Sequence, residues 1–195
     1  MGRMTLFLFA ALAVTSVDAA WYQKTDGTIV DPIQSLLGGD HSYSGNNLQP
    51  NEYLSYADLT GADLASADLR GVDLWYTRLD GADLTSADLR GADLWETHLD
   101  GADLTSADLR GVDVWDAYLM GADLSGSQLS GVMFYNNATW TDAFYYTDNE
   151  PTWDSGMNAA WRSSVGILAL APVPEPAAIL LALLGLALLP QRRRR

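Results

Sequence analysis

A four-sided, all-β solenoid is the fold this sequence predicts, and two periods predict it. The first is five residues: Ala-Asp-Leu-x-x recurs without a gap, most cleanly at Ala62-Asp63-Leu64, Ala82-Asp83-Leu84 and Ala102-Asp103-Leu104. With the central Leu numbered zero, seventeen words have centres from Leu54 to Phe134; fifteen are Leu, and the others are Val114 and Phe134. The second period is twenty. Residues 67–86, ADLRGVDLWYTRLDGADLTS, match residues 87–106, ADLRGADLWETHLDGADLTS, and then residues 107–126, ADLRGVDVWDAYLMGADLSG.

The five-residue period excludes a helix. Five residues advance a helix by about 500°, so the leucines would scatter around its axis. In extended chain, residues two apart share a side. The small residue at minus two and the Leu at zero therefore point inward, and the residue between them points out. Minus two is small in every word but the first, where it is Glu52, and minus one is Asp in eleven words. The last two positions must turn the chain. Gly61, Gly71, Gly91 and Gly111 suit a turn that needs positive φ. Four words then make one coil, and residues twenty apart stack vertically.

On these words the chain resembles the pentapeptide-repeat family, over residues 52–136. That resemblance implies a right-handed quadrilateral β-helix. Seventeen words give a little over four coils, a rod roughly 20 Å long at about 4.8 Å per coil. Each coil places four Leu in a narrow core, each contributing about 1.5–3 kcal/mol on burial. The rod's open ends require caps.

The flanks supply address and caps. Residues 1–19 read as a secretory signal, with Arg3 as the charged start, apolar residues 6–14, and Val17-Asp18-Ala19 before a cut after Ala19. Residues 20–51 lack the repeat and read as an N-terminal cap. Trp21, Ile29, Val30, Leu36 and Leu37 provide its apolar surface, Leu48 starts an imperfect coil, and His41 is a loop residue. Residues 137–172 read as a C-terminal cap. Phe144 falls at a centre position there, and a short helix begins near Thr152 or Asp154 with Met157 and Trp161 on one face.

Residues 173–195 carry a three-part pattern. Val173-Pro174-Glu175-Pro176 precedes thirteen apolar residues, 177–189, and then Arg192, Arg193, Arg194 and Arg195. As a helix, thirteen residues reach about 20 Å, short of the roughly 30 Å hydrocarbon core. The terminal arginines fit a cytoplasmic stop. The pattern resembles the PEP-CTERM sorting signal of Gram-negative bacteria. That resemblance implies signal peptidase and an exosortase-type processing enzyme as partners, transient anchoring in the inner membrane through a C-terminal hydrophobic helix, and a cell-surface or extracellular destination in an exopolysaccharide setting.

Composition narrows function. There is no Cys, so no disulfide and no thiolate chemistry. The formal charge is −14, which disfavours nucleic acid and anionic surfaces as partners. No nucleophile elbow, phosphate loop or zinc spacing occurs. The Asp and Thr of the surface repeat with the architecture, and His98 stands alone in its column with Arg78 and Tyr118. The sequence therefore predicts no enzyme, no cofactor and no metal. The Asp columns are expected to bond turn backbone, as Asx residues do; calcium is the alternative, without the glycine-rich nonapeptide signature.

One column stands apart. Trp75, Trp95 and Trp115 stack with Ser55 above and Tyr135 below. They are expected to form an outward aromatic ladder that joins coils, with a partner-binding strip for polysaccharide or a surface protein as the functional reading. The function the sequence predicts is an exported, non-enzymatic structural or interaction protein of the envelope or extracellular matrix, with the Trp strip as a binding module in the alternative. A further alternative is a DNA-mimic that binds gyrase, as some acidic pentapeptide-repeat proteins do; export argues against it.

Overall fold

The computed structural model describes residues 50–172 and three two-residue strands ahead of them. The chain winds into stacked four-sided coils. Parallel bridges link residues twenty apart down each side: Tyr53 to Asp73 to Asp93 to Asp113 to Met133, and likewise Asp63 to Asp83 to Asp103 to Asp123. Leu64, Leu84 and Leu104 are buried one above another, as the twenty-residue period requires. The centres from Leu54 to Leu129 are all buried, and the minus-two residues from Ala57 to Val132 are buried beside them, except Ala67, which is half-buried.

Each corner is a turn in which the amide two before a centre donates back to the preceding centre, as from Ala57 to the Leu54 carbonyl at 3.0 Å and from Ala87 to that of Leu84 at 2.9 Å. The second residue after each centre has positive φ, the mark of a type II turn. Two corner columns use glycine there, as at Gly81 and Gly91. The other two hold Tyr76 (φ 56°) and Ser86 (φ 58°) in the left-handed region, at a cost of about 1–2 kcal/mol each.

A full backbone census explains the Asp. In the word centred on Leu84, the Leu84 amide donates to the Asp103 carbonyl, the Ser86 amide to Thr105, the Ala87 amide to Leu84 and the Asp88 amide to Ala67. The Thr85 amide has no backbone acceptor; it donates to Oδ1 of Asp83 at 2.9 Å. All eleven Asp at minus one accept the amide two residues ahead in this way, at 2.9–3.4 Å. The Asx reading of the columns therefore holds. Polar groups that enter the interior are also satisfied: Thr77 and Thr97 donate their Oγ1 hydroxyls to the carbonyls of Leu54 and Leu74 at 2.6 and 2.7 Å.

One Asp column is zipped by arginine. Arg70, Arg90 and Arg110 each grip their own Asp68, Asp88 or Asp108 with Nε and a terminal nitrogen at 2.6–2.8 Å. Arg70 and Arg90 also lie 3.7 and 3.6 Å from the Asp of the next coil. The guanidinium bonds hold all three carboxyls below the usual range.

Below Leu129 the register departs from the sequence reading. Phe134 is not an inward centre: it has φ 57° and is 46% exposed. Tyr118 pairs with Thr139 and Asp123 with Phe144, offsets of twenty-one, and Gln128 pairs with Thr152, an offset of twenty-four. One inserted residue near 134–138 and three more near 147–150 bulge at corners. Every later position shifts, so Trp140 and Tyr145 become the buried centres and Phe144 sits at minus one. Aromatic centres enter this last floor, where leucines, with Val114 the one exception, filled the earlier ones.

Both ends are covered. Among the described strands, β1 (Tyr22–Gln23) pairs antiparallel with β2 (Ile29–Val30), and β3 (Gln34–Ser35) lies antiparallel on β4 (Ala57–Asp58) of the first coil. At the other end β6 (Leu168–Leu170) runs parallel beneath β5 (Phe144–Tyr146). Between them lies α1 (Ala159–Val165), capped by Asn158 and ended by Gly166 in the left-handed region. Neither Thr152 nor Asp154 is the N-cap. Thr152 is held in the ladder by Ser127, and Asp154 is taken by the amides of Gly156 and Gly131. Met157 is buried just before the cap, and Trp161 packs on the core from within α1. The expected signal at 1–19, His41, Leu48, the sorting residues Val173 to Pro176 and Arg192 to Arg195, and the expected hydrophobic helix at 177–189 lie outside the described residues. Among the described residues no helix is long and apolar enough to cross a membrane.

Two substitutions test this construction. Leu94→Ala, in mid-rod, should destabilise the protein by about 2–5 kcal/mol in denaturant unfolding; a loss under 1 kcal/mol would mean the tube is not tightly packed. Asp123→Ala removes the acceptor for the amide and hydroxyl of buried Ser125 and should cost about 1–3 kcal/mol. Asp123→Asn, which keeps Oδ1, should cost less than half as much; equal losses would assign the role to charge instead.

Candidate functional site

The aromatic corner is where the surface departs from its own repeat. Trp75, Trp95 and Trp115 each follow a centre, and each backbone amide is held by Oδ1 of Asp73, Asp93 or Asp113 at 3.0–3.1 Å. That bond fixes the corner and sends each indole outward, twenty residues apart in one column. Rings meet as expected at the top: Trp75 and Trp95 stack with centroids 4.1 Å apart and planes 21° apart. Their Nε1 atoms are covered by the packing and have no acceptor among the described residues.

The next residue of the corner reinforces this half. Tyr56 and Tyr76 stack at 5.1 Å and 7°. Tyr76 donates its hydroxyl to Oε1 of Glu96 at 2.8 Å, a bond that pushes its own pKa up. Trp75, Tyr76 and Trp95 thus close into one block.

The lower half is open. Trp95 and Trp115 are 6.4 Å apart and tilted by 54°. The column of second corner residues explains this: it runs Tyr56, Tyr76, Glu96, Asp116, so aromatic backing gives way to carboxylates. Asp116 accepts the Trp115 Nε1–H at 2.9 Å and holds that indole away from the stack. The ladder's next member is Phe134, 4.8 Å from Trp115 and tilted by 45°. Tyr135, expected in that place, turns inward after the register shift and meets Trp161 edge-on at 5.0 Å. The result is a cleft of about 500 Å³ lined by Asp93, Trp95, Asp113, Trp115 and Phe134. Trp115 and Phe134 are 41% and 46% exposed. Burial at this corner raises the Asp93 carboxyl above its usual range, the Trp95 amide opposes the shift, and neighbouring Asp113 and Asp73 add to it. The strip named from sequence therefore divides: Trp75 and Tyr135 pack against neighbouring rings, and Trp95 and Trp115 line the cleft. Phe134 was missed because it stood at a nominal core position; the insertion that frees it has no sequence period to announce it.

A second cluster lies on the side without Asp columns. His98 stacks on Tyr118 at 4.4 Å, and donor atoms of Asp80, His98 and Asp100 lie within 4.8 Å of one another. Sequence spacing hides this trio because its members belong to two coils. Two of its three members are already engaged: Arg78 holds Asp80 at 3.1 Å, and Asp100 accepts the Met120 amide at 2.8 Å. The trio fits a structural clasp better than a metal centre.

Comparison with known proteins finds the same repeat. The pentapeptide-repeat family matches in eight copies, over residues 53–85, 87–126 and 98–136. Solved structures similar to this chain include HetL, a pentapeptide repeat protein involved in heterocyst differentiation regulation from the cyanobacterium Nostoc sp. strain PCC 7120, at 26% identity and TM-score 0.35, covering 48% of this chain and 61% of that one. A second Nostoc PCC 7120 pentapeptide repeat protein, alr5209, is 29% identical with TM-score 0.34 and coverage of 58% and 84%. A pentapeptide repeat protein of the Arabidopsis thaliana thylakoid lumen is 25% identical with TM-score 0.32 and coverage of 60% and 85%. No curated protein sequence matches. Repeat, register and family match coincide over residues 53–136, and over that stretch this chain is similar to the pentapeptide-repeat family.

Proposed function

We propose that the protein is an exported, non-enzymatic interaction scaffold of the cell envelope or extracellular matrix, in which a rigid acidic rod presents an aromatic contact site. The observation that carries this reading is the opening of the Trp column. Elsewhere on the coils Asp, Arg, Thr and Ser bond backbone or neighbours within the architecture, whereas Trp115 and Phe134 stand exposed beside half-buried Trp95 around a cleft. Exposed aromatics of this kind are typical anchors for a partner.

Export rests on the sequence of residues 1–19 and 173–195, whose pattern fits signal peptidase and an exosortase-type enzyme. Residues 21–176 hold six basic and twenty-four acidic side chains, a balance of −18 that favours solubility after such processing. The gyrase-binding alternative finds less support, because Arg70, Arg90 and Arg110 neutralise one acidic face and Arg78 interrupts another.

Intact mass spectrometry of the protein recovered from its host culture should show a chain beginning at Ala20 and shortened at or near the Pro174-Glu175-Pro176 segment. A full-length chain confined to the cytosol would overturn export. Retention of the purified protein on the host's extracellular polysaccharide and surface-protein fraction should fall at least about tenfold in the double variant Trp95→Ala, Trp115→Ala. Unchanged retention would remove the aromatic corner from function.

A further inference from the structure

We propose that the cleft between Trp95, Trp115 and Phe134 is a cation cage that takes a quaternary ammonium group. The inference rests on the aromatic corner being the contact site and adds the chemistry of what it contacts.

Three features point to this ligand. First, the rings do not form a platform. Successive planes differ by 54° and 45°, so the three rings stand as angled walls around the cleft. A sugar ring needs one flat, open aromatic face, whereas a compact cation is attracted to several ring faces at once. Second, the lining carries acidic groups. Asp93 and Asp113 both line the cleft. Each spends Oδ1 on the amide of Trp95 or Trp115, and no bond among the described residues uses either Oδ2. Third, these two carboxylates repel one another, and burial disfavours the charge on Asp93. A bound cation would relieve both costs, whereas a neutral ligand would deepen the burial.

The lack of other acceptors selects among cations. A primary ammonium brings three N–H donors, and a guanidinium five. The cleft offers two free carboxylate oxygens and otherwise aromatic carbon. A quaternary ammonium has no N–H to satisfy, and its methyl groups gain by leaving water.

The test titrates the purified protein with tetramethylammonium chloride against sodium chloride at equal ionic strength. Tryptophan fluorescence and the indole N–H resonances of Trp95 and Trp115 report binding. Methylammonium chloride and methyl β-glucoside form parallel arms. A saturable change with tetramethylammonium is expected, weaker with methylammonium and absent with the glucoside. Asp93→Asn with Asp113→Asn keeps both Oδ1 acceptors, hence the corner, while removing both charges. It should weaken binding by about tenfold, and Trp115→Ala should abolish it. Thermal melts of the variants confirm that the rod is intact.

No saturable change with tetramethylammonium would overturn the assignment. So would binding that is undiminished in the double Asn variant. Saturable binding of the glucoside alone would overturn the cation and uphold a polysaccharide contact at the same corner. Failure of the cage leaves the retention experiment with the Trp variants as a separate readout of the aromatic corner itself.

Discussion

One hydrogen bond per corner holds this architecture to its five-residue word. Coil stacking satisfies three of the five amides in a word, and the corner turn satisfies a fourth. The fifth, just after the central Leu, faces the corner and finds no carbonyl, as Thr85 shows beside Asp83. A short side-chain acceptor two residues earlier is the local solution, and Asp supplies it at all eleven places where it occupies that position. Asp is therefore on the surface for the sake of the backbone. The like-charge columns this creates, about 4.8 Å apart, repel by roughly 0.9 kcal/mol per neighbouring pair even in water. The Arg70, Arg90 and Arg110 zip is the response on one side.

The same constraint sets what the corners can carry. With the amide held and the following residue in the left-handed region, the side chain one after the centre must leave the rod at a fixed angle. Small residues there give a plain surface, as at Thr85 and Thr105. Large ones stack, because each lies one coil above its counterpart. A column of tryptophans is thus a direct consequence of a repeated corner. Its behaviour depends on the neighbouring column: tyrosines close the upper half, and Glu96 and Asp116 open the lower half.

The caps show how the repeat ends. One extra residue after Met133 turns Phe134 outward and moves Trp140 and Tyr145 into the interior. The bulkier centres fill a floor that has fewer neighbours below it, and α1 and β6 cover what remains. The aromatic cleft borders this transition. Its lower wall, Phe134, is a residue that lost its inward place when the register slipped.

The sequence by itself determined the solenoid, its four sides, the inward Leu and small residues, and the Asx role of Asp. These follow from a period, and a period is a local statement about backbone direction that every word repeats. It also singled out Trp75, Trp95 and Trp115 as a column. Only the tertiary structure decided which of those rings pack and which stand open, that Phe134 replaces Tyr135, and that Asn158 rather than Thr152 or Asp154 caps the helix. Asp80, His98 and Asp100 likewise became neighbours only in three dimensions. In each case the outcome turns on an insertion or a contact between coils, and neither leaves a mark in the five-residue word.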